Sequence, residues 1–126
     1  MKMDNRIFSH RQSLGHKGEM VAAEFLEKKG FSIIMQNFRF RSGEIDIIAK
    51  DNDTIVFVEV KSARSGAFGH PAEWVDEKKQ SHLISTAKKY LFENNIHDVP
   101  VRFDVITVDF KNKKIDHFVN AFYEAS

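Results

Sequence analysis

The chain has 126 residues, 42% of them hydrophobic, and a formal net charge of +1, which fits one soluble domain around one core. The absence of cysteine excludes a disulfide framework, a thiolate metal site and a cysteine nucleophile. Because the net charge is close to zero, any binding of nucleic acid must depend on where the cations lie rather than on composition.

The first 13 residues are polar and basic. We expect residues 1–13 to form a flexible basic arm, or simply a solvated tail, and residues 14–126 to form a single domain. The amino terminus has no apolar stretch typical of a secretion signal, and no segment is apolar for long enough to span a bilayer. These features favour a cytoplasmic protein that does not associate with membranes.

A helix is predicted from Leu14 to Lys29, with Gly30 ending it. At 100° per residue, Glu19 falls within the apolar arc of this helix, so we expect its carboxylate to face the rest of the domain. Glycines in the same arc would permit close approach to a neighbouring strand. The arc contains Gly15, Gly18, Ala22, Phe25 and Leu26.

Three extended segments follow, separated by turn-forming residues, and they predict an antiparallel meander. The third segment is apolar on both faces at its start, with Ile55 and Phe57 on one side and Val56 and Val58 on the other. This pattern places it in the centre of a sheet. The segments are Phe31–Phe40, Glu44–Ala49 and Thr54–Lys61.

A mobile loop is predicted from Ser62 to His70, because it contains two glycines and little apolar periodicity. Pro71 would then open a second helix that runs to about Asn94. Two further strands are predicted, at Val101–Phe110 and Ile115–Val119. The buried stripe of the second helix would contain Val75, Leu83, Ala87, Tyr90 and Leu91.

Glu59 and Lys61 are two residues apart in an extended segment, so their side chains project from the same face of the sheet. A two-residue turn at Asp51-Asn52 would place Asp46 diagonal to Glu59 on the neighbouring strand. The corresponding pairs would be Lys50 with Asp53, Asp46 with Phe57 and Glu44 with Glu59.

Neighbouring carboxylates repel one another unless a cation lies between them. Mg²⁺ suits this position, because it takes one or two protein carboxylates and keeps its other positions for water and substrate phosphate. We expect Asp46, Glu59 and the Val60 carbonyl to bind the metal, with Glu19 completing the site directly or through water. Lys61 would position the attacking water or neutralise the transition state. A surface salt-bridge cluster is the alternative interpretation.

Asp46 and the segment Glu59-Val60-Lys61, preceded by a helical glutamate, resemble the active site of restriction-endonuclease-like, or PD-(D/E)XK, nucleases. The resemblance is closest to the small bacterial YraN-like proteins of that superfamily and covers about Leu14 to Phe122. The segments that carry it are Gly18-Glu19, Gly43-Glu44-Ile45-Asp46, Val56-Phe57-Val58-Glu59-Val60-Lys61, Phe68-Gly69 and Arg102-Phe103-Asp104-Val105.

The resemblance implies an α/β fold with an αβββαβ core, in which a mixed central sheet is flanked by helices. It also implies that an Asp and a Glu bind metal while a Lys assists the attacking water. The chain departs from one pattern of the superfamily, since Gln80 is followed at the expected spacing by Ile84 instead of tyrosine.

Several cations near the predicted site are candidates for contact with nucleic-acid phosphates. For each of them a structural role, such as a solvated helix face or a half-buried strand, is the alternative. Arg102 and Asp104 share a strand face and are expected to form a structural ion pair. The candidate nucleic-acid-binding residues are Arg39, Arg41, Arg64, Lys79 and Gln80.

These features together predict a nuclease that depends on Mg²⁺, with Mn²⁺ able to substitute, and that acts on DNA, in branched or single-stranded form. A non-catalytic nucleic-acid-binding module is the second hypothesis, and it predicts salt-dependent binding without turnover. A third is a protein-interaction subunit whose carboxylates bind metal for stability alone. A homodimer would suit cutting of both strands, although no apolar stripe in the sequence identifies an interface.

Overall fold

The computed structural model describes residues 14–64 and 75–123. The predicted arm, residues 1–13, and most of the predicted loop lie outside these ranges. Within them, no helix is both long enough and apolar enough to cross a membrane. The elements in chain order are α1 (Leu14–Lys28), β1 (Ser32–Phe40), β2 (Gly43–Asp51), β3 (Thr54–Ala63), α2 (Glu77–Glu93), β4 (Val101–Asp109) and β5 (Lys114–Phe122).

The strands of the described residues form one five-stranded sheet in the order β1-β2-β3-β4-β5. β3 and β4 are parallel, while the other neighbours are antiparallel. The antiparallel meander, the central position of β3 and the mixed sheet flanked by helices are therefore confirmed. The parallel pairing requires a crossover between β3 and β4, and α2 lies in that crossover.

The sheet has an apolar core on each face. Val56 and Val58 of β3 pack into the core that contains α1, whereas Ile55 and Phe57 pack into the core that contains α2. This alternation confirms the prediction that both faces of the strand are buried, and it holds β3 rigidly between the two helices.

α1 approaches the sheet closely at Gly18, which is buried. A Cβ atom at this position would overlap the Ser62 hydroxyl on β3 and lie 2.9 Å from the Ser62 Cβ. Gly30 then ends the helix region with a φ of +96°, a left-handed conformation that glycine adopts without strain. The predicted close approach through a glycine is therefore present at Gly18.

Three sequence-based expectations are wrong in detail. The β2–β3 turn pairs Asp51 with Thr54 and Lys50 with Ile55, which is a shift of two residues from the predicted pairing. Glu44 is therefore not the partner of Glu59, because the turn closes one residue later. In addition, Ser62 belongs to β3 instead of the loop.

α2 begins at Glu77, and Val75 and Asp76 are not helical, so no continuous helix runs from Pro71. The reason is a capping interaction: Asp76 has an extended backbone, and its side chain accepts a hydrogen bond from the Lys79 N–H at 2.8 Å. Pro71 itself lies outside the described residues.

A buried polar network joins β4 to its neighbours at the end of the sheet where β3 begins. The Asp104 carboxylate is fully buried and accepts hydrogen bonds from Arg102 Nε at 3.0 Å, His117 Nε2 at 2.7 Å and the Asn120 N–H at 2.9 Å. Arg102 also bonds Asp51 at 3.1 Å. The network ties β4 to β5 and β2, and the predicted ion pair between Arg102 and Asp104 is part of it.

Candidate active site

Asp46 and Glu59 meet where β2 and β3 separate. Backbone pairing of the two strands extends to Ile47 and Val58, so Asp46 and Glu59 are the next residues along each strand. Asp46 Oδ2 accepts a hydrogen bond from the Val60 N–H at 2.8 Å. The Glu59 side chain is only 13% exposed. Two carboxyl groups are therefore held side by side at the edge of the core.

Burial and mutual repulsion disfavour two negative charges at this position. Burial raises the pKa of Asp46 to about 7, with repulsion from Glu59 as the next cause. Burial also raises the pKa of Glu59, against the opposing attraction of Lys79. Such a pair titrates as a unit, and a shared proton or a bound cation would relieve the repulsion between its two carboxylates.

Glu19 of α1 faces this pair. Its pKa rises to about 7, first because of burial and then because of repulsion from Asp46 and Glu44. The Asn37 amide, oriented so that its nitrogen faces the acids, donates hydrogen bonds to Glu19 Oε1 at 2.6 Å and Glu44 Oε1 at 2.8 Å. Asn37 thereby links the helix to the strands.

Sequence reasoning missed Asn37. The residue has a φ of +57° and lies within β1, where asparagine is a poor strand former that tolerates the left-handed conformation. An asparagine in the interior of a segment predicted to be a strand was the available signal. Its partners became apparent only once α1 and β2 were placed around it.

The fit of this site to a divalent ion depends on two carboxylates. In residues 14–64 and 75–123, no group of three or more His, Cys, Asp or Glu side chains is arranged to hold a metal. The role of Glu19 in completing the site, directly or through water, stays a prediction. Asp46 and Glu59 alone still suit Mg²⁺, which commonly takes one or two protein carboxylates.

Two lysines approach the pair from different elements. Lys61 is exposed and follows Glu59 on the same face of β3, where its charge favours ionisation of Glu59. The Lys79 Nζ, from the first turn of α2, lies 3.2 Å from Glu59 Oε1. The structure therefore brings Lys79, a candidate phosphate contact, against a candidate metal ligand.

Of the other candidate phosphate contacts, the three arginines are exposed, whereas Gln80 bonds to the backbone. Arg39 is exposed and pairs with Glu44 at 3.3 Å, and Arg41 is exposed in the β1–β2 turn. Arg64 is exposed just after β3. The Gln80 side chain instead donates to the Val75 carbonyl at 2.8 Å and so supports the start of α2.

Comparison with known proteins identifies the family. A family model described as Uncharacterised protein family UPF0102 matches residues 18–108, a segment that contains Glu19, Asp46, Glu59 and Lys61. The chain belongs to the UPF0102 family. This membership confirms the resemblance to YraN-like proteins.

Relatives within UPF0102 match over most of their length. The chain is 48% identical over 108 residues to a UPF0102 protein of Clostridioides difficile strain 630, covering 86% of this chain and 95% of the relative. It is 50% identical over 115 residues to a UPF0102 protein of Alkaliphilus oremlandii, covering 88% and 98% of the two chains. A UPF0102 protein of Persephonella marina is 48% identical over 108 residues, covering 86% and 91%.

Proposed function

We propose that this protein is a metal-dependent nuclease that hydrolyses phosphodiester bonds in DNA, with Mg²⁺ as its cofactor and Mn²⁺ as a substitute. The observation that carries the proposal is the pair of half-buried carboxyl groups, Asp46 and Glu59, with raised pKa values beside Lys61. Acids whose pKa values are shifted by burial and by a charged neighbour are candidates for a functional site. The YraN-like resemblance, which extends to segments outside this pair, also supports the proposal.

Each residue has a defined part in this proposal. Asp46 and Glu59 would hold the cation, and the hydrogen bond from the Val60 N–H fixes the orientation of the Asp46 carboxylate. Lys61 orients the attacking water and offsets negative charge on the phosphate. Glu19, linked to Glu44 through Asn37, would complete the site directly or through water. A bound Mg²⁺ would supply Lewis acidity for the hydrolysis.

DNA is the proposed substrate, with branched or single-stranded forms preferred to a long specific duplex. Arg39, Arg41 and Arg64 are exposed around the ends of β1, β2 and β3, where they can contact backbone phosphates. Phosphate contacts of this kind position the strand without reading its sequence, which is consistent with a small domain that recognises the form of the DNA.

The test is a panel of labelled DNA and RNA structures incubated with Mg²⁺ or Mn²⁺. Asp46→Asn and Lys61→Met should each reduce cutting by at least about 100-fold, the size expected for a group used in the transition state. Lys50→Met, an exposed lysine at the opposite end of β2, is the matched control and should cut normally. Equal residual activity in the two site variants would indicate a contaminating nuclease.

A non-catalytic nucleic-acid-binding module is the second candidate. The observation that favours it is the presence of exposed cations, such as Arg41 and Arg64, which can contact phosphates without any catalytic group. This hypothesis predicts binding that weakens steeply with salt, because cations contact phosphates, and no turnover under any metal. A gel shift at several salt concentrations, run beside the cutting assay, separates the two.

A further inference from the structure

The ion pair between Lys79 and Glu59 joins α2 directly to the candidate metal site. The Lys79 Nζ lies 3.2 Å from Glu59 Oε1, and the two side chains are 48% and 13% exposed. The backbone of Lys79 is fixed by the Asp76 cap, whereas its side chain extends four carbons to the carboxylate. The ammonium therefore contacts a carboxylate oxygen that a bound cation would also use.

We propose that Lys79 is a built-in counterion of the metal site: its ammonium neutralises Glu59 in the metal-free protein and moves to a substrate phosphate when a divalent cation binds. This inference rests on the proposed function, since it concerns the same carboxylates. It assigns to Lys79 a role different from that of Lys61, which lies on β3 beside the site.

A divalent cation would compete with the Lys79 ammonium for the Glu59 carboxylate. A divalent cation and an ammonium both seek the oxygens of Glu59, and the same carboxylate cannot contact both fully at short range. An ion pair with a half-exposed lysine contributes little net stability, so a divalent ion can displace it. The released side chain is long, rotatable and half exposed, which allows it to reach a phosphate placed beside the metal.

Lys79→Met should therefore have two effects of opposite sign. The affinity for Mg²⁺ or Mn²⁺ without nucleic acid should rise by about three- to tenfold, because a competing charge near a partly exposed site is lost. Metal-dependent binding of single-stranded DNA should weaken by about three- to tenfold, because a phosphate contact is lost. Lys79→Arg retains the charge and should keep both affinities near those of the wild type.

Calorimetric titration with MnCl₂ measures the first effect, and fluorescence anisotropy of a labelled oligonucleotide measures the second. The anisotropy experiment compares Lys61→Met with Lys61→Met/Lys79→Met, so that cutting does not consume the probe. Lys78→Met is the matched control, because Lys78 is the exposed neighbour on α2 and its loss changes the net charge equally. It should leave the metal affinity unchanged.

The outcomes separate this inference from the proposed function. If wild type and Asp46→Asn bind metal equally weakly, the proposed site is wrong and the inference falls with it. If metal binding depends on Asp46 but Lys79→Met and Lys78→Met behave alike, the counterion role is wrong while the nuclease proposal stands. Tighter metal binding combined with weaker DNA binding in Lys79→Met alone supports the inference.

Discussion

Asp46 Oδ2 accepts a hydrogen bond from the Val60 N–H at 2.8 Å, just beyond the last backbone pair of β2 and β3. The Asp46 side chain therefore accepts the hydrogen bond of a backbone N–H that would bond to a backbone carbonyl in a regular β-ladder. The strands separate at this point, so the carboxyl groups of Asp46 and Glu59 share the small space between them. The end of strand pairing is thus what creates the candidate site.

Asp46→Asn should make the free energy of unfolding of the metal-free protein depend less on pH. Folding raises the pKa of Asp46 from 3.8 to about 7, through burial and repulsion from Glu59. The folded state therefore binds this proton more tightly than the unfolded chain. The protonated Asp46 carboxyl group therefore stabilises the folded protein fully at pH values below its pKa in the unfolded chain. This stabilisation is lost as the pH rises through about 7. Asparagine keeps an acceptor for the Val60 N–H but cannot ionise.

Urea unfolding in the presence of a chelator, at about pH 5 and about pH 8, measures this difference. Asp53→Asn, at an exposed turn position, is the control and should retain the wild-type pH dependence. If Asp46→Asn loses as much stability as the wild type between the two pH values, the Asp46 carboxyl group is not responsible.

Metal binding near neutral pH should release protons. Asp46 and Glu19 each have a pKa of about 7 and must ionise for a divalent ion to be held well. The affinity for Mg²⁺ should therefore rise between about pH 6 and about pH 8. Calorimetry in two buffers of different ionisation enthalpy counts the protons released, and a count of zero near pH 7 would contradict the raised pKa values.

Glu19→Gln should weaken metal binding by about 10-fold and reduce the number of protons released. The effect is expected to be smaller than that of Asp46→Asn because Glu19 is linked through Asn37 to Glu44, which is not one of the two proposed metal ligands. Glu24→Gln, on the same helix, is the control, since Glu24 pairs with Lys28 at 3.4 Å. An effect of Glu19→Gln as large as that of Asp46→Asn would make Glu19 a direct ligand.

Asp104→Asn should destabilise the fold by about 3–5 kcal/mol, because it removes the carboxylate that pairs with the buried His117 and one of the two carboxylates that pair with Arg102. Burial raises the pKa of Asp104, but hydrogen bonds from His117, Arg102 and the Asn120 N–H outweigh burial and lower it. Asp104 therefore stabilises the folded protein at pH values above the pKa that its carboxyl group has in the unfolded chain. This stabilisation is lost as the pH falls through the lower pKa that the group has in the folded protein.

Equilibrium unfolding in urea tests this prediction, with Asp116→Asn as control. Asp116 is 46% exposed and pairs with Lys114 at 3.7 Å, so its loss should change stability by no more than about 0.5 kcal/mol. Comparable losses in the two variants would show that the Asp104 network contributes no more than a surface pair.

Gly18→Ala should destabilise the protein by about 1–3 kcal/mol, because the added Cβ overlaps Ser62 and forces α1 away from β3. Ser62→Gly should restore most of this loss in the double variant, which identifies the clash as the cause. Gly15→Ala, at an exposed position of the same helix, should be neutral or stabilising. Thermal unfolding of the four proteins measures these effects, and a double variant no better than Gly18→Ala would contradict the explanation.

The error in the β2–β3 register shows what local sequence leaves open. Asp51, Asn52 and Asp53 all favour turns, so the sequence does not decide which two close the hairpin. In the structure Asn52 adopts a φ of +53° and the turn closes between Asp51 and Thr54. A shift of two residues preserves the face of every side chain, because the strand period is two. Asp46 and Glu59 therefore remain neighbours.

The sequence by itself determined the order of elements, the two-faced burial of β3, the inward position of Glu19 and the family resemblance, because all of these follow from short-range periodicity and residue type. The tertiary structure decided the rest. The Asn37 bridge, the contact between Lys79 and Glu59 and the close packing of Gly18 on Ser62 each join elements distant in the chain. Such contacts depend on how helices pack on the sheet, which no local pattern encodes.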